Sequence, residues 1–215
     1  MDTKELLSQI QLYVIADRKM CGDRDIEDVV SQALDGGAQM IQYRDKESDD
    51  EQFLQTTWSL KAVCRERNVP LIVNDRVGIA VKTDVDGVHL GQEDLPVVEA
   101  RGMLGCDKII GKSARSVKQA RAAEEEGADY VGLGPIFQTF SKEIDKPIGV
   151  DIIRRAEESL NIAFFAIGGI NLDNLDQIVR AGGKRIAVIS ALVLSDDVRS
   201  SAAGLLERLR RDSTS

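Results

Sequence analysis

Residues 71–94, LIVNDRVGIAVKTDVDGVHLGQED, decide how the rest of the chain is read. They contain two apolar runs, Leu71 to Val73 and Val88 to Leu90, each too short for a helix and each stopped by polar residues. Such runs read as buried parallel strands. Segments that bring in carboxylates follow both, Asn74-Asp75 after the first and Gly91, Gln92, Glu93 and Asp94 after the second. In parallel α/β folds the carboxyl ends of the strands are where ligands bind. Other strand ends supply what carboxylates lack: Gln42, Arg44 and Lys46 follow one, Lys142 follows another, and Gly168-Gly169 a third. Acid beside base at one end of a sheet points to a metal and a phosphate.

Outward from that stretch the same alternation repeats. Thr3 to Ile10 reads as a short leading helix and Leu12 to Ala16 as the first strand. Asp25 is placed to cap a helix from Ile26 to Leu34, the next strand is Met40 to Tyr43, and a long helix runs from about Asp50 to Arg67. After the quoted stretch come a helix from Leu95 to Met103, a strand at Ile109 to Gly111 and a helix opened by Ser116. Tyr130 to Leu133, Ala163 to Ile167 and Arg185 to Ile189 complete the strands, with helices over Gly149 to Leu160, from Asn171, and from about Asp197 to Arg211. Asp35-Gly-Gly-Ala38, Asp86-Gly-Val88, Glu126-Gly-Ala-Asp129 and Ala181-Gly-Gly-Lys184 precede the second, fourth, sixth and eighth strands, a weak repeat every two units. Glycine there suits the left-handed residue that ends a helix. The pattern predicts a single (β/α)8 TIM barrel over residues 1–215, core about 12–210, with an open doubly wound sheet as the alternative.

Composition agrees with one unaided domain, since 43% of the 215 residues are hydrophobic and no Pro- or Ser-rich joint divides them. Twenty-eight basic against 36 acidic residues give a net charge of −8, which opposes nucleic-acid binding. The opening MDTKELLSQI has acidic residues and no long apolar core, so neither a signal peptide nor a membrane span is expected, and the chain reads as cytoplasmic. Cys21, Cys64 and Cys106 lie far apart, without a C-x-x-C pair, and read as reduced packing residues.

Gln42, Arg44 and Lys46 alternate, so in an extended segment all three point one way while Tyr43 and Asp45 point the other. Three such side chains at a strand end can hold a diphosphate; a solvated loop is the bland alternative. Asn74, Asp75 and Asp94 each suit a helix cap. Two carboxylates at neighbouring strand ends also suit Mg²⁺, which takes one or two protein carboxylates and completes its shell with water and substrate phosphates. His89, the single histidine, lies within a strand and reads as a hydrogen-bonded core residue. No Ser-His-Asp or Cys-His arrangement can be assembled, so no protein nucleophile is expected. Thr139, Ser141 and Lys142 follow a glycine-bearing strand end in a loop that can close over an anion. Gly169, Ile189 and Ser190 lie after the seventh and eighth strands, where barrels commonly cradle a phosphate. Ser113 is a candidate donor, with Lys112 and Arg115 beside it as surface charge or further anion contacts.

In this order, IQYRDK, LIVNDR, DGVHLGQED, GADYVGLGPIF, the T-x-S-K of Thr139 to Lys142 and AIGGI resemble thiamin phosphate synthase from Leu12 to about Leu192. The resemblance implies a barrel enzyme that joins hydroxymethylpyrimidine diphosphate to a thiazole phosphate with Mg²⁺ and releases pyrophosphate. It implies that Gln42, Arg44 and Lys46 bind the pyrimidine diphosphate, that Asn74 positions it, and that Asp75 and Asp94 bind magnesium. It further implies that Ser113 and Lys142 contact the pyrimidine, and that Thr139, Ser141, Gly169, Ile189 and Ser190 hold the thiazole phosphate. Partners are then small molecules, neither nucleic acid nor membrane, with a homo-oligomer left open. The chain departs from the family pattern at Gln138, Ser141 and Arg115. A thiazole tautomerase of the same superfamily and a non-catalytic barrel binding thiamin precursors are the rival readings. The tautomerase generally lacks the acids found here and has a histidine where this chain has Arg115.

Overall fold

The computed structural model describes residues 2–139 and 146–211. Eight parallel strands pair in sequence order, and the first pairs with the last to close a barrel. They are β1 (Leu12–Asp17), β2 (Met40–Arg44), β3 (Leu71–Asn74), β4 (Gly87–Leu90), β5 (Ile109–Ala114), β6 (Tyr130–Leu133), β7 (Ala163–Ile167) and β8 (Ile186–Val188). The helices are α1 (Thr3–Gln9), α2 (Arg18–Cys21), α3 (Ile26–Asp35), α4 (Asp50–Glu66), α5 (Val77–Thr83), α6 (Val97–Leu104), α7 (Val117–Glu125), α8 (Asp151–Ser159), α9 (Leu175–Arg180), α10 (Ser190–Val193) and α11 (Val198–Arg211). None of the described helices is long and apolar enough to cross a membrane.

Strand alternation divides the core into two layers. Leu12, Val14 and Ala16 join the cluster between strands and helices, whereas Tyr13 and Ile15 belong to the one inside the barrel. That inner cluster gathers Tyr13, Met40, Ile72, Ile109, Tyr130 and Phe165, and Leu7 and Ile10 of the leading segment join it. The barrel is therefore packed rather than hollow. Burying a side chain such as Leu7, 1% exposed, contributes about 1.5–3 kcal/mol. Tyr130 meets Tyr13 and Phe165 edge-on, at centroid distances of 5.7 and 5.5 Å. Gly111 makes room for the Tyr130 ring, since a Cβ there would lie 2.1 Å from Cζ.

Three expectations need correction. α2 and α10 are additional four-residue helices, too short to leave a period in the sequence. α9 starts at Leu175 rather than Asn171, because Asn171 folds the preceding residues into a turn in which its Oδ1 accepts from the Asp173 and Asn174 amides at 3.0 and 3.2 Å. Gly37, Gly127 and Gly182 take positive φ as the repeat requires, but in the second copy, before β4, Asp84 is the left-handed residue and Gly87 instead lies against the Ile109 carbonyl.

Candidate active site

The end of β2 shows the expected alternation. Gln42 is buried and its Nε2 donates to the Tyr13 hydroxyl. Arg44 pairs with Asp17 at the end of β1, and Lys46, just past the strand, pairs with Asp75. Tyr43 and Asp45 face the other way. Tyr43 packs on Phe53 of α4 with centroids 4.3 Å apart, and burial pushes its phenol up to about 12. Asp45 Oδ1 accepts from the Glu47 and Ser48 amides at 2.9 and 3.1 Å, which turns the chain after the strand. Asp17 was missed by sequence reasoning: it holds Arg44 and also caps α2 through the Met20 amide at 3.1 Å. Its signal was a carboxylate closing the first apolar run, LYVIAD.

Asn74, Asp75 and Asp94 do not serve as the helix caps their types allow. α5 begins behind Arg76 and α6 behind Pro96, neither with a side-chain cap. Asp75 instead takes φ +51, its amide donates to the His89 carbonyl at 2.9 Å, and its Oδ2 accepts from Asn74 Nδ2 at 2.9 Å. A non-glycine residue held there costs roughly 1 kcal/mol or more, a kind of strain that gathers at functional sites. Asp94 Oδ2 accepts from the Gly91 amide at 2.6 Å and closes the loop after β4.

A cavity of about 470 Å³ opens at the carboxyl ends of the strands. Of the candidate residues, Lys46, Asp94, Ser113, Thr139, Gly169, Ile189 and Ser190 line it, as do Gln92, Glu93 and Arg115. Arg44, Asn74 and Asp75 are not in the lining; they sit at the ends of β2 and β3, where Asp75 is tied to the cavity through Lys46. Gln42 lies within the barrel. Ser141 and Lys142 fall outside the described residues. On the far side of the cavity Gly168 and Gly169 take φ +98 and +66, Asn174 Nδ2 donates to the Gly169 carbonyl at 2.8 Å, and α10 starts at Ser190. Asn174 was not anticipated.

Two findings on β4 and β5 depart from expectation. Lys112 is 6% exposed rather than at the surface; it lines a separate cavity of about 190 Å³ with Gln119 and Glu126 of the α7 region. His89 is buried, as expected, yet its Nε2 lies 2.9 Å from Ser113 Oγ and its Nδ1 lies 3.0 Å from the Tyr130 hydroxyl. A serine and a histidine therefore meet where none were expected to. The third member is a phenol, not a carboxylate, and burial holds that phenol well above its ordinary pKa. Among the described residues the hydrogen-bonded series Ser113–His89–Tyr130 includes no carboxylate.

The model of the family described as thiamine monophosphate synthase matches residues 12–192. The chain belongs to the thiamine monophosphate synthase family. Relatives in this family include the thiamine-phosphate synthase of Halalkalibacterium halodurans, 42% identical over 196 residues that make up 91% of this chain and 93% of the relative. That of Coprothermobacter proteolyticus is 44% identical over 208 residues, 96% of this chain and 99% of the relative. Among solved structures, thiamine phosphate pyrophosphorylase from Pyrococcus furiosus is similar with a TM-score of 0.88 and 37% identity, covering 96% of this chain and 98% of the other. The thiamine monophosphate synthase match thus spans every strand of the barrel.

Carboxylate oxygens are the donor type that a hard cation takes. Asp75 and Asp94 offer carboxylate oxygens from the ends of adjacent strands, and neither is used as a helix cap. Among the described residues no group of three or more His, Cys, Asp or Glu side chains gathers to hold an ion. Two carboxylates are what Mg²⁺ commonly takes from a protein when phosphates supply further ligands.

Proposed function

We propose that this chain catalyses the coupling of 4-amino-5-hydroxymethyl-2-methylpyrimidine diphosphate with a hydroxyethylthiazole phosphate, giving thiamin phosphate and pyrophosphate. The observation that carries the reading is the cavity at the carboxyl ends of the strands, with Lys46, Asp94 and Ser113 among its lining residues and Gly169, Ile189 and Ser190 on the opposite wall. The two sets suit a diphosphate and a monophosphate respectively.

In this reading Arg44 and Lys46 hold the diphosphate, with Gln42, Asn74 and Ser113 orienting the pyrimidine. Departure of the diphosphate leaves a pyrimidine-methyl cation, and the amine at position 4 shares its charge. Arg44 and Lys46 stabilise the negative charge growing on the leaving group as preorganised electrostatics. Asp75 and Asp94 would hold Mg²⁺, which when bound would supply further charge neutralisation to the departing diphosphate. Thr139 and Ser141 bind the thiazole phosphate, and backbone N–H groups near Gly169, Ile189 and Ser190 cradle it. Lys142 contacts the pyrimidine and, with its loop, excludes water from the cation. The thiazole nitrogen attacks the methylene carbon, so neither a protein nucleophile nor an acid–base histidine is needed.

Purified protein given both substrates tests this. Pyrophosphate release that needs the pyrimidine diphosphate, the thiazole phosphate and Mg²⁺ together, with thiamin phosphate formed, is the expected result. Folded protein that binds both substrates and releases nothing would overturn the assignment.

A further inference from the structure

Beneath the cavity runs an unbroken series of buried hydrogen bonds across the barrel. Gln42 Nε2 donates to Tyr13 Oη; Tyr13 Oη lies 2.8 Å from Tyr130 Oη, Tyr130 Oη 3.0 Å from His89 Nδ1, and His89 Nε2 2.9 Å from Ser113 Oγ. Each hydroxyl carries one hydrogen, and a neutral imidazole has one donor and one acceptor nitrogen. The series therefore has a direction, and one end sets it. Because Gln42 turns its nitrogen toward Tyr13, Tyr13 must pass its own hydrogen to Tyr130, and Tyr130 must pass its hydrogen to His89 Nδ1. His89 then carries its proton on Nε2 and donates to Ser113, and the Ser113 hydroxyl is left to donate into the cavity it lines. An imidazolium would break this order, since it would donate at both ends and leave the Tyr13 hydrogen without an acceptor in the series.

We propose that Tyr13, Tyr130 and His89 are positioning residues that form a directed hydrogen-bond chain, fixing Ser113 as a donor into the cavity and tying that choice to the orientation of the Gln42 amide. Resting on the synthase reading, Ser113 then selects a ring nitrogen with a free lone pair, as in an aminopyrimidine, over the N–H of an oxo-pyrimidine. Gln42 Oε1 makes no hydrogen bond among the described residues and remains available to an amine. The same order removes His89 as a base toward Ser113, because the nitrogen facing the hydroxyl already bears hydrogen. The meeting of Ser113 and His89 is thus a recognition device and not a nucleophilic pair.

The chain carries one histidine, so its imidazole nitrogens can be read in the full-length protein without ambiguity. Nitrogen-15 NMR of the ligand-free protein should show the Nε2–H form in excess by at least about tenfold, the ratio that follows from leaving one buried donor unpaired. Gln42→Glu replaces the donor end with an acceptor. With the introduced carboxyl group ionised, as its own carbon shift reports, the series should reverse and His89 should become Nδ1–H. Adding Tyr130→Phe should abolish that reversal, leaving the tautomer of Tyr130→Phe alone. In turnover, Tyr130→Phe should raise KM for the pyrimidine diphosphate about fivefold or more, with KM for the thiazole phosphate unchanged. An Nδ1–H histidine in the unsubstituted protein, or an unchanged tautomer in Gln42→Glu with the new carboxylate ionised, would overturn the directed chain. Because the spectra need no substrate, the chain and the synthase reading fail separately.

Discussion

Alanine at Gly111 drives a methyl group into the aromatic floor of the site. The added Cβ would lie 2.1 Å from Tyr130 Cζ, 2.4 Å from Cε1 and 2.5 Å from the hydroxyl oxygen. Ordinary carbon contacts begin near 3.5 Å, so the ring must retreat by roughly 1.4 Å. It has little room, being fully buried and set edge-on between Tyr13 and Phe165. Overpacking a core typically costs 1–3 kcal/mol, and a rigid ring at this separation belongs at about 3 kcal/mol. At about 2–4 °C per kcal/mol for a domain of this size, thermal unfolding followed by circular dichroism should fall by about 6–12 °C. Tyr130→Val in the same chain should recover part of the loss, so the double variant is less destabilised than the sum. A fall below about 2 °C would refute the claim that Gly111 is required by the Tyr130 ring.

Asp75→Asn and Asp94→Asn should each raise the Mg²⁺ concentration for half-maximal pyrophosphate release by about tenfold or more; unchanged metal response in both removes the carboxylates from that role. Asp17→Asn should loosen Arg44 and raise KM for the pyrimidine diphosphate, while KM for the thiazole phosphate holds. A disulfide reagent should label one thiol in the native protein, exposed Cys106, and three after unfolding. Burial pushes the Cys64 thiol up to about 12 from an ordinary value of 9.0. Between those values the unfolded chain releases a proton that the folded chain keeps, so this group's contribution to stability falls as pH rises from about 9 toward 12. Cys64→Ala should flatten that part of the stability profile measured by denaturant titration.

The barrel was legible because its strands are short apolar runs bounded by glycine and polar residues, a pattern that Val88 to Leu90 carries even with His89 inside it. The alternation of Gln42, Arg44 and Lys46 against Tyr43 and Asp45 was legible for the same reason, since a strand has a period of two. What sequence could not supply is pairing across the barrel. Tyr13 and Tyr130 stand 117 positions apart, and Ser113 follows His89 by 24, so nothing local announces that their polar atoms meet. Asp17 was overlooked because one carboxylate at the end of a strand has no meaning until Arg44 of the next strand lies beside it. Asn74 and Asp94 look like caps by residue type; only the helix starts at Val77 and Val97 show that they are not.

The pairing of Arg44 with Asp17 and of Lys46 with Asp75 bears on how an anion arrives. Each of these cations is already balanced by a carboxylate, so neither projects a full charge into solvent, and the chain as a whole carries −8. A polyphosphate approaching from a distance meets net repulsion and exchanges partners with these pairs only on contact. Added salt, by screening that repulsion over about 10 Å at 0.1 M, should therefore quicken the encounter, the opposite of the usual behaviour of a cationic funnel.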